Sequence, residues 1–456
     1  MTFARRDYTD ALAVFFIALA LCACITKTHT DSWNDTSRIA AIDSLVERGT
    51  FQIDASPFST GDKYRYRGHF YSDKEPLLIL MGAGAALALR PLHLSSAANF
   101  RTAYYLITLF TVGVCFAVGA VYAYLIQRLL GFTRRVAFTV AGLTALATPV
   151  LAYATVLVNH VPCGVCVLIG TTHALLAARG SRTHAVLSGL FFAFAVAFDA
   201  AAIVFFLVPL PLLRFRPQST WLAFAAGSVP VLVTQAAFNA VYSGSVMPPA
   251  MNGSLWNYPG SPFLNHYPSL GLLGSFPWYA DYLLYLTIGE KGLFTYSPLV
   301  VVAAYGLYRM WRREGEQREL AVGIVAGCAL FLIATLLFTD DRGNVNYGER
   351  RYVDFFPLLC IGLGPALAAL RRGIAVVSVR AVVALAIVVA ALGAVWPWAG
   401  GHAALSNLDR FHALWMRAPL IATIGALACL GLILTAACAI EPARTAHQTH
   451  GPSRSS

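Results

Sequence analysis

Residues 8–26, YTDALAVFFIALALCACIT, follow Arg5 and Arg6 and run almost directly into residues 29–51, HTDSWNDTSRIAAIDSLVERGTF. The first stretch is an apolar run behind a basic flank, and no clear small-x-small cleavage site ends it. It reads as an uncleaved first membrane helix with its N-terminus in the cytoplasm. The second stretch is polar, yet Ile39, Ile42, Leu45 and Val46 recur at helical spacing. It reads as an amphipathic helix lying on the outer membrane surface and stopped by Gly49. The implied fold class is all-α: a polytopic integral membrane protein, a helical bundle with surface helices on its outer face.

Composition points the same way. Apolar residues make up 58% of the 456 and charged residues 12%, about half the charged share of a soluble chain. That excludes a soluble enzyme, a disordered scaffold and a free nucleic-acid binder. The net charge of +11 needs no acidic partner, because short cytoplasmic loops gather Lys and Arg whatever the function. The nine cysteines all lie in apolar segments, so no disulfide framework is implied. Cys163 and Cys166 form a CxxC inside an apolar helix and read as small buried residues.

Residues 100–127, 136–158, 161–178, 221–241, 292–308, 320–338, 353–370, 381–396 and 418–440 are expected to cross the membrane, which makes ten crossings with the first helix. Residues 76–89 are too short to cross at about 1.5 Å per residue and are placed re-entrant or along the outer interface. Residues 185–213 begin and end at basic clusters and read as a short hairpin from the cytoplasmic side. Its Asp199 then points away from the outer face and pairs with Gln235 or Asn239. This parity puts the basic clusters 128–135, 179–182, 214–216, 309–313 and 371–372 in the cytoplasm with both termini. The polar tail 441–456 is expected to be disordered.

Three outer segments stand out. Loop one, 27–75, holds 15 of the 55 Asp, Glu, Lys and Arg residues. Loop two, 242–290, has ten aromatics and two acids, and loop three, 339–351, reads TDDRGNVNYGERR. Lys and Arg outside run against the positive-inside bias, so a polar site at the outer membrane face is expected.

Asp35 sits at the start of the surface helix. It either caps free backbone N–H groups or acts as a carboxylate that deprotonates or orients an acceptor, and both readings stand. Arg38, one turn on, is expected to pair with Asp35 and keep it ionised. Lys74 precedes the short helix that begins at Pro76. It is a snorkelling anchor or a phosphate ligand at a helix N-terminus, with Asp73 and Glu75 opposing an anion. His69 and Tyr71 are adequately explained by a surface loop. Trp256, Tyr258, Trp278, Tyr279 and Tyr282 either stack on a sugar or form an aromatic belt. Asp340-Asp341 is a metal-binding pair or merely solvated, and Glu290-Lys291 reads more readily as a helix cap than as a rim of the site.

These motifs together resemble the GT-C superfamily of membrane glycosyltransferases, in the branch of the protein O-mannosyltransferases and the lipid A aminoarabinose transferase. That branch has an acid in the first outer loop and then a surface helix ending near a Gly, as Asp35 and Gly49 do here. It then has an aromatic stretch ending in Lys-Pro-Pro. Phe70-Tyr71-Ser72-Asp73-Lys74-Glu75-Pro76 is similar, with Glu75 replacing the first Pro. Thr148-Pro149, Tyr153 and Asn159-His160 fall where the family returns to the outer face. Some relatives carry an Asp there, and His160 stands in its place. Gly292-Leu293-Phe294-Thr295-Tyr296-Ser297-Pro298 resembles the family's Gly-Leu-Phe-x-Tyr-x-Pro. Gly348-Glu349-Arg350, followed by Tyr352, resembles its Gly-x-Arg-aromatic element, with an extra Arg351.

The resemblance implies a transferase that moves a hexosyl or pentosyl group, with inversion, from a polyprenyl-phosphate sugar to an acceptor outside the cytoplasm. Asp35 would be the acid/base, and Lys74, Arg350 and Arg351 would hold the donor phosphate. Arg38, Tyr71 and His160 would support them. The acceptor would be a lipid, a polysaccharide or a protein. No nucleic acid and no cofactor are implied. The branch generally works without a metal, whereas some other GT-C enzymes use one, so a divalent ion stays open. Residues 1–370 would form the catalytic region and 371–440 additional C-terminal helices, in a bacterial inner membrane and serving cell-envelope biogenesis. The competing expectations are a transporter or flippase of a lipid-linked saccharide and a non-catalytic assembly subunit. No repeat of two related halves is visible, and the polar residues gather in outer loops, which favours the enzyme.

Overall fold

A computed structural model describes residues 5–92, 97–264, 276–289, 291–339, 346–370, 373–398, 412–416 and 418–440. Glu290, Asp340-Asp341, Arg371-Arg372 and the tail 441–456 lie outside the described residues. The helices used below are α1 (Arg5–Ile25), α2 (Trp33–Arg48), α3 (Pro76–Leu89), α4 (Phe100–Leu129), α5 (Arg134–Leu146), α6 (His160–Ala178) and α7 (Arg182–Phe198). They continue with α8 (Ala200–Leu213), α9 (Gln218–Ser243), α10 (Phe276–Thr287), α11 (Leu299–Trp311), α12 (Glu316–Phe338), α13 (Phe356–Ala368), α14 (Ile374–Val395) and α15 (Pro419–Ala439).

Among the described residues, seven helices are long and apolar enough to cross a membrane: α1, α4, α6, α9, α12, α14 and α15. Three expected crossings are interrupted instead. Residues 136–158 stop being helical after Leu146, and Pro149 explains why, since its ring cannot continue the hydrogen-bond ladder. The chain from 147 to 159 then runs as buried backbone with one helical turn. Irregular backbone at membrane depth is tolerated when protein encloses it. Residues 292–308 break at Pro298 into a single turn and α11. Residues 353–370 combine a 3₁₀ turn with the mixed helix α13.

The hairpin of α7 and α8 differs more. α7 runs antiparallel to α6 for 17 residues, about 26 Å of rise. Asp199 therefore arrives level with Asn159 and His160, and Asn159 Nδ2 donates to Asp199 Oδ2 at 3.2 Å. The hairpin is not a short cytoplasmic one, and Asp199 does not pair with Gln235 or Asn239. α7 and α8 lead from the basic residues Arg182 and Arg214 to Asp199, packed on α6, α9 and α12.

The basic clusters gather at the opposite end. Arg128 bonds Asp7 at 2.8 Å and Arg134 bonds Asp10 at 2.5 Å. Arg179, at the far end of α6, bonds Glu316 at 2.9 Å and the Leu129 carbonyl at 3.3 Å, and Arg214 bonds Glu319 at 3.3 Å. The bundle is thus polar at both ends and sharply different between them.

Loop one folds back onto the other end. Ser32 caps α2, and Gly49 closes it with a left-handed φ of 66°, as expected. The helix is more enclosed than a surface helix, with Ser37 to Ser44 all buried, because α3 packs on one side and a hairpin on another. That hairpin pairs β1 (Lys63–Tyr66) with β2 (His69–Ser72) in antiparallel register, Tyr64 opposite Tyr71. α3 begins at Pro76 and ends at Leu89, the range the sequence suggests. Its flanking Arg90 reaches the Val46 carbonyl at 2.7 Å and Glu47 at 3.1 Å. α2 and α3 therefore lie side by side with their N-termini together, and those N-termini carry the polar site.

Candidate active site

Asp35 is the third residue of α2, and its side chain is fully buried. Oδ1 accepts from the Ser32 backbone N–H at 3.1 Å, completing a reciprocal cap with Ser32. Oδ2 accepts from the Tyr104 hydroxyl of α4 at 3.0 Å. Burial pushes the Asp35 carboxyl up to about 7, against the opposing pull of the Tyr104 and backbone hydrogen bonds and the Arg38 charge. The expected Arg38–Asp35 pair does not form. Arg38 donates instead to the Asn34 side chain and carbonyl and to the Asn159 side chain. Its guanidinium points along α2 toward the buried 147–159 segment. Burial and the nearby Arg350 charge lower the Arg38 pKa to about 10.

Lys74 sits between two carboxylates, Asp62 at 2.6 Å and Asp73 at 2.8 Å. Burial pushes both acids up, but the Lys74 charge outweighs it at Asp62, which lies below its ordinary range. At Asp73 burial prevails, and its pKa is raised. One ammonium neutralises one carboxylate well, and the second is the easier to protonate. Ser37 joins this loop to α2, donating to the Asp62 carbonyl at 2.6 Å with the Ser72 hydroxyl 2.7 Å away. Asp35 and Lys74 thus stand at one end of the molecule on segments tied to the same helical turn.

Glu75, next along, accepts from Gln235 of α9 at 2.5 Å, and burial together with the Asp199 charge pushes it up to about 8. Beside it opens an apolar groove of about 320 Å³ between α3, α7 and α9. Leu77, Leu80, Phe194, Val231 and Phe238 line it, with Gln235 at its polar edge.

Tyr71 stacks on Tyr64 at 5.6 Å and meets Tyr242 edge-on at 5.7 Å. Trp256 is fully buried against Tyr64, and Tyr258 packs on Phe70 while its hydroxyl donates to the Lys63 carbonyl. Tyr282 of α10 is buried as well, its hydroxyl 2.8 Å from that of Thr339. The loop-two aromatics Trp256 and Tyr258 hold the hairpin in place rather than lining an open platform.

Arg350 and Arg351 lie on the 3₁₀ turn Arg350–Asp354. Arg350 donates to Asn346 at 3.3 Å and stands 5.9 Å over the Trp398 ring, and its buried Nε has no partner. Arg351 bonds Glu349 at 3.2 Å. The two late motifs pack on each other, Tyr296 edge-on to Tyr347 at 4.7 Å. Lys291 is buried and donates to the Asn346 carbonyl, which fastens this loop rather than capping a helix.

His160 is buried at the first turn of α6. Two acids remote in sequence flank its Nδ1, Asp354 at 3.0 Å and Asp199 at 3.3 Å. The acid missing beside His160 in the sequence is thus supplied from elsewhere in the chain. Gly164, one turn along α6, makes this possible, because a Cβ there would stand 2.4 Å from the Val353 carbonyl. Asp62, Tyr104 and Asp354 are the members that sequence reading missed. Asp354 carried a signal, as an acid at the edge of an apolar run. Tyr104 carried none.

No family model matches the chain, and no curated protein matches it by sequence. Its fold is found among solved structures. ArnT from Cupriavidus metallidurans in the apo state superposes with a TM-score of 0.52 and 16% identity, over 95% of this chain and 73% of that one. The archaeal oligosaccharyltransferase AglB from Archaeoglobus fulgidus, solved with an inhibitory peptide and a dolichol-phosphate, gives 0.51 and 17%, over 98% of this chain and 62% of that one. The chain therefore shares its fold with these two proteins and spans less than two thirds of AglB.

Proposed function

We propose that this protein is a membrane glycosyltransferase that moves a sugar from a polyprenyl-phosphate donor to an acceptor on the non-cytoplasmic side, with inversion. The observation that carries the proposal is the meeting of three features at one end of the bundle. An apolar groove opens at Pro76 and Gln235, next to Glu75, cations stand at Lys74 and Arg350, and a buried carboxyl with a pKa of about 7 sits on the helix tied to the Lys74 segment. A polyprenyl tail suits the groove and a phosphate suits the cations. The basic clusters at the opposite end support a non-cytoplasmic site under the positive-inside rule. The GT-C fold, and the dolichol-phosphate bound by AglB, support a lipid-linked donor.

In this reading the acceptor oxygen or nitrogen attacks the anomeric carbon and its proton passes to Asp35. The bond to the phosphate breaks, and the polyprenyl phosphate leaves with its charge stabilised by Lys74 and Arg350. A pKa near the working pH suits a group that must gain and lose a proton. Oδ2 of Asp35 is bonded to Tyr104 rather than to the helix cap, so an acceptor can exchange with Tyr104 without undoing α2. Arg351, Arg38, Tyr71 and His160 hold the surrounding geometry.

The test is a lipid comparison between cells with and without the protein, paired with transfer by the purified protein in nanodiscs. Accumulated polyprenyl-phosphate sugar in the knockout, and donor cleavage by the purified protein, are expected. Donor that crosses the bilayer uncleaved would replace the enzyme with a flippase.

A further inference from the structure

We propose that His160, Asp199 and Asp354 bind a divalent transition-metal ion of the zinc type. Their ligand-capable atoms all lie within 4.8 Å of one another. His160 Nδ1 stands 3.0 Å from Asp354 Oδ1 and 3.3 Å from Asp199 Oδ2. In a tetrahedral zinc shell with bonds of about 2.0–2.2 Å, donor atoms stand roughly 3.3 Å apart. The two separations from His160 thus already match those of a shared ion, and the third lies within 4.8 Å.

The hydrogen bonding of the cluster is incomplete without a cation. A neutral imidazole has at most one proton on Nδ1, which cannot serve two carboxylates fully. Asp354 is completely buried, and its Oδ2 has no hydrogen bond of ordinary geometry, although the Cys163 thiol lies beside the carboxylate. A buried carboxylate oxygen left unpaired is costly, and a metal ion is the partner that offsets it. Cys163 follows His160 by three residues on α6, so its thiol is the natural fourth donor, with water as the other choice.

Neighbouring groups orient the ligands. Asn159 Nδ2 donates to Asp199 Oδ2 at 3.2 Å and the Ala201 N–H donates to Oδ1 at 3.0 Å. Metal-binding carboxylates are commonly held in this way. One histidine with two carboxylates suits zinc or manganese better than magnesium, which prefers oxygen ligands and retained waters. The ion would fasten three remote segments: the start of α6, the α7–α8 junction, and the 3₁₀ turn bearing Arg350 and Arg351. It concerns binding only and stands or falls apart from the glycosyltransferase reading.

The test uses the full chain in nanodiscs, stripped with a chelator and titrated calorimetrically with zinc chloride, with magnesium chloride in parallel. One zinc per chain is expected. His160→Gln and Asp354→Asn should weaken it by at least about 100-fold and Asn159→Ala by about tenfold, as ligand and supporting groups do. If a variant fails to fold, zinc-edge X-ray absorption of the wild-type protein decides, an imidazole in the first shell being the expected result. No stoichiometric zinc, a shell without imidazole, or undiminished binding in folded variants overturns the proposal.

Discussion

The hydroxyls of Ser37 and Ser72 stand 2.7 Å apart, and that contact fastens the helix carrying Asp35 to the hairpin that leads into Lys74. Ser37 also donates to the Asp62 carbonyl, so one hydroxyl holds both ends of the hairpin. Ser37→Ala should cost about 1–2 kcal/mol of stability, the range for a lost buried hydrogen bond. It should also lower transfer at temperatures where the protein stays folded. Thermal unfolding measured beside kcat/KM checks this. A lowered Tm with unchanged kcat would mean that the contact is structural only.

Asp35→Asn should abolish most transfer, by about 10²–10⁴-fold, while preserving the cap on α2. The pH dependence is distinctive. The folded pKa of about 7 lies above the ordinary carboxylate value, so the folded state favours the proton. The stability Asp35 lends is complete below the unfolded pKa and is lost as pH rises through about 7. The base form needed for transfer grows over the same range. Wild type should therefore gain activity and lose stability between pH 5 and 8, both roughly, and Asp35→Asn should unfold at a higher temperature than wild type at about pH 8. Equal melting temperatures at both pH extremes would count against a strained carboxyl.

A phosphate reaching Lys74 must displace one of its two carboxylates. Asp73, which burial pushes up, is the one that takes a proton as it leaves. Donor binding should therefore consume a proton and tighten as pH falls. Asp73→Asn should bind polyprenyl phosphate more tightly than wild type and with a shallower pH dependence. Titrations at several pH values, read by calorimetry in two buffers of different ionisation heat, measure the proton directly. Binding with no proton uptake would move the phosphate away from Lys74.

The groove offers a steric test. Val231→Trp should fill part of its volume of about 320 Å³. KM for a long-chain polyprenyl donor should rise at least about tenfold, a cost of about 1.4 kcal/mol. A donor with a short, water-soluble tail should be affected little. Equal effects on both donors would place the tail elsewhere.

Much of this arrangement is legible in the sequence, but unevenly. Local signals fixed the ends of α3 through Pro76, the stop of α2 at Gly49, and the gathering of Arg128, Arg134, Arg179 and Arg214 at one end. These depend on backbone chemistry or on charge, both of which act within a few residues. What failed was depth along the bundle axis. Residues 185–213 are apolar apart from Ser188 and Asp199, so nothing in their composition says how far α7 climbs, and Asp199 stands level with His160 instead of away from it. Arg38 failed for a related reason: spacing along α2 suggested Asp35, while its partners come from Asn34 and the distant Asn159. Asp354 meets His160 only because Gly164 admits a neighbouring backbone, a property of the folded surface.

α14 contributes more than hydrophobic bulk. Lys27 donates to the Val395 carbonyl at 2.7 Å, the Tyr347 hydroxyl donates to the Val389 carbonyl, and Trp398 lies under the Arg350 guanidinium. A shortened protein ending near residue 370 would lose the floor beneath that arginine and the hook that holds the start of loop one. Attempts to trim the chain for expression should stop beyond Trp398, and a tag placed between α13 and α14 would pull on the same floor.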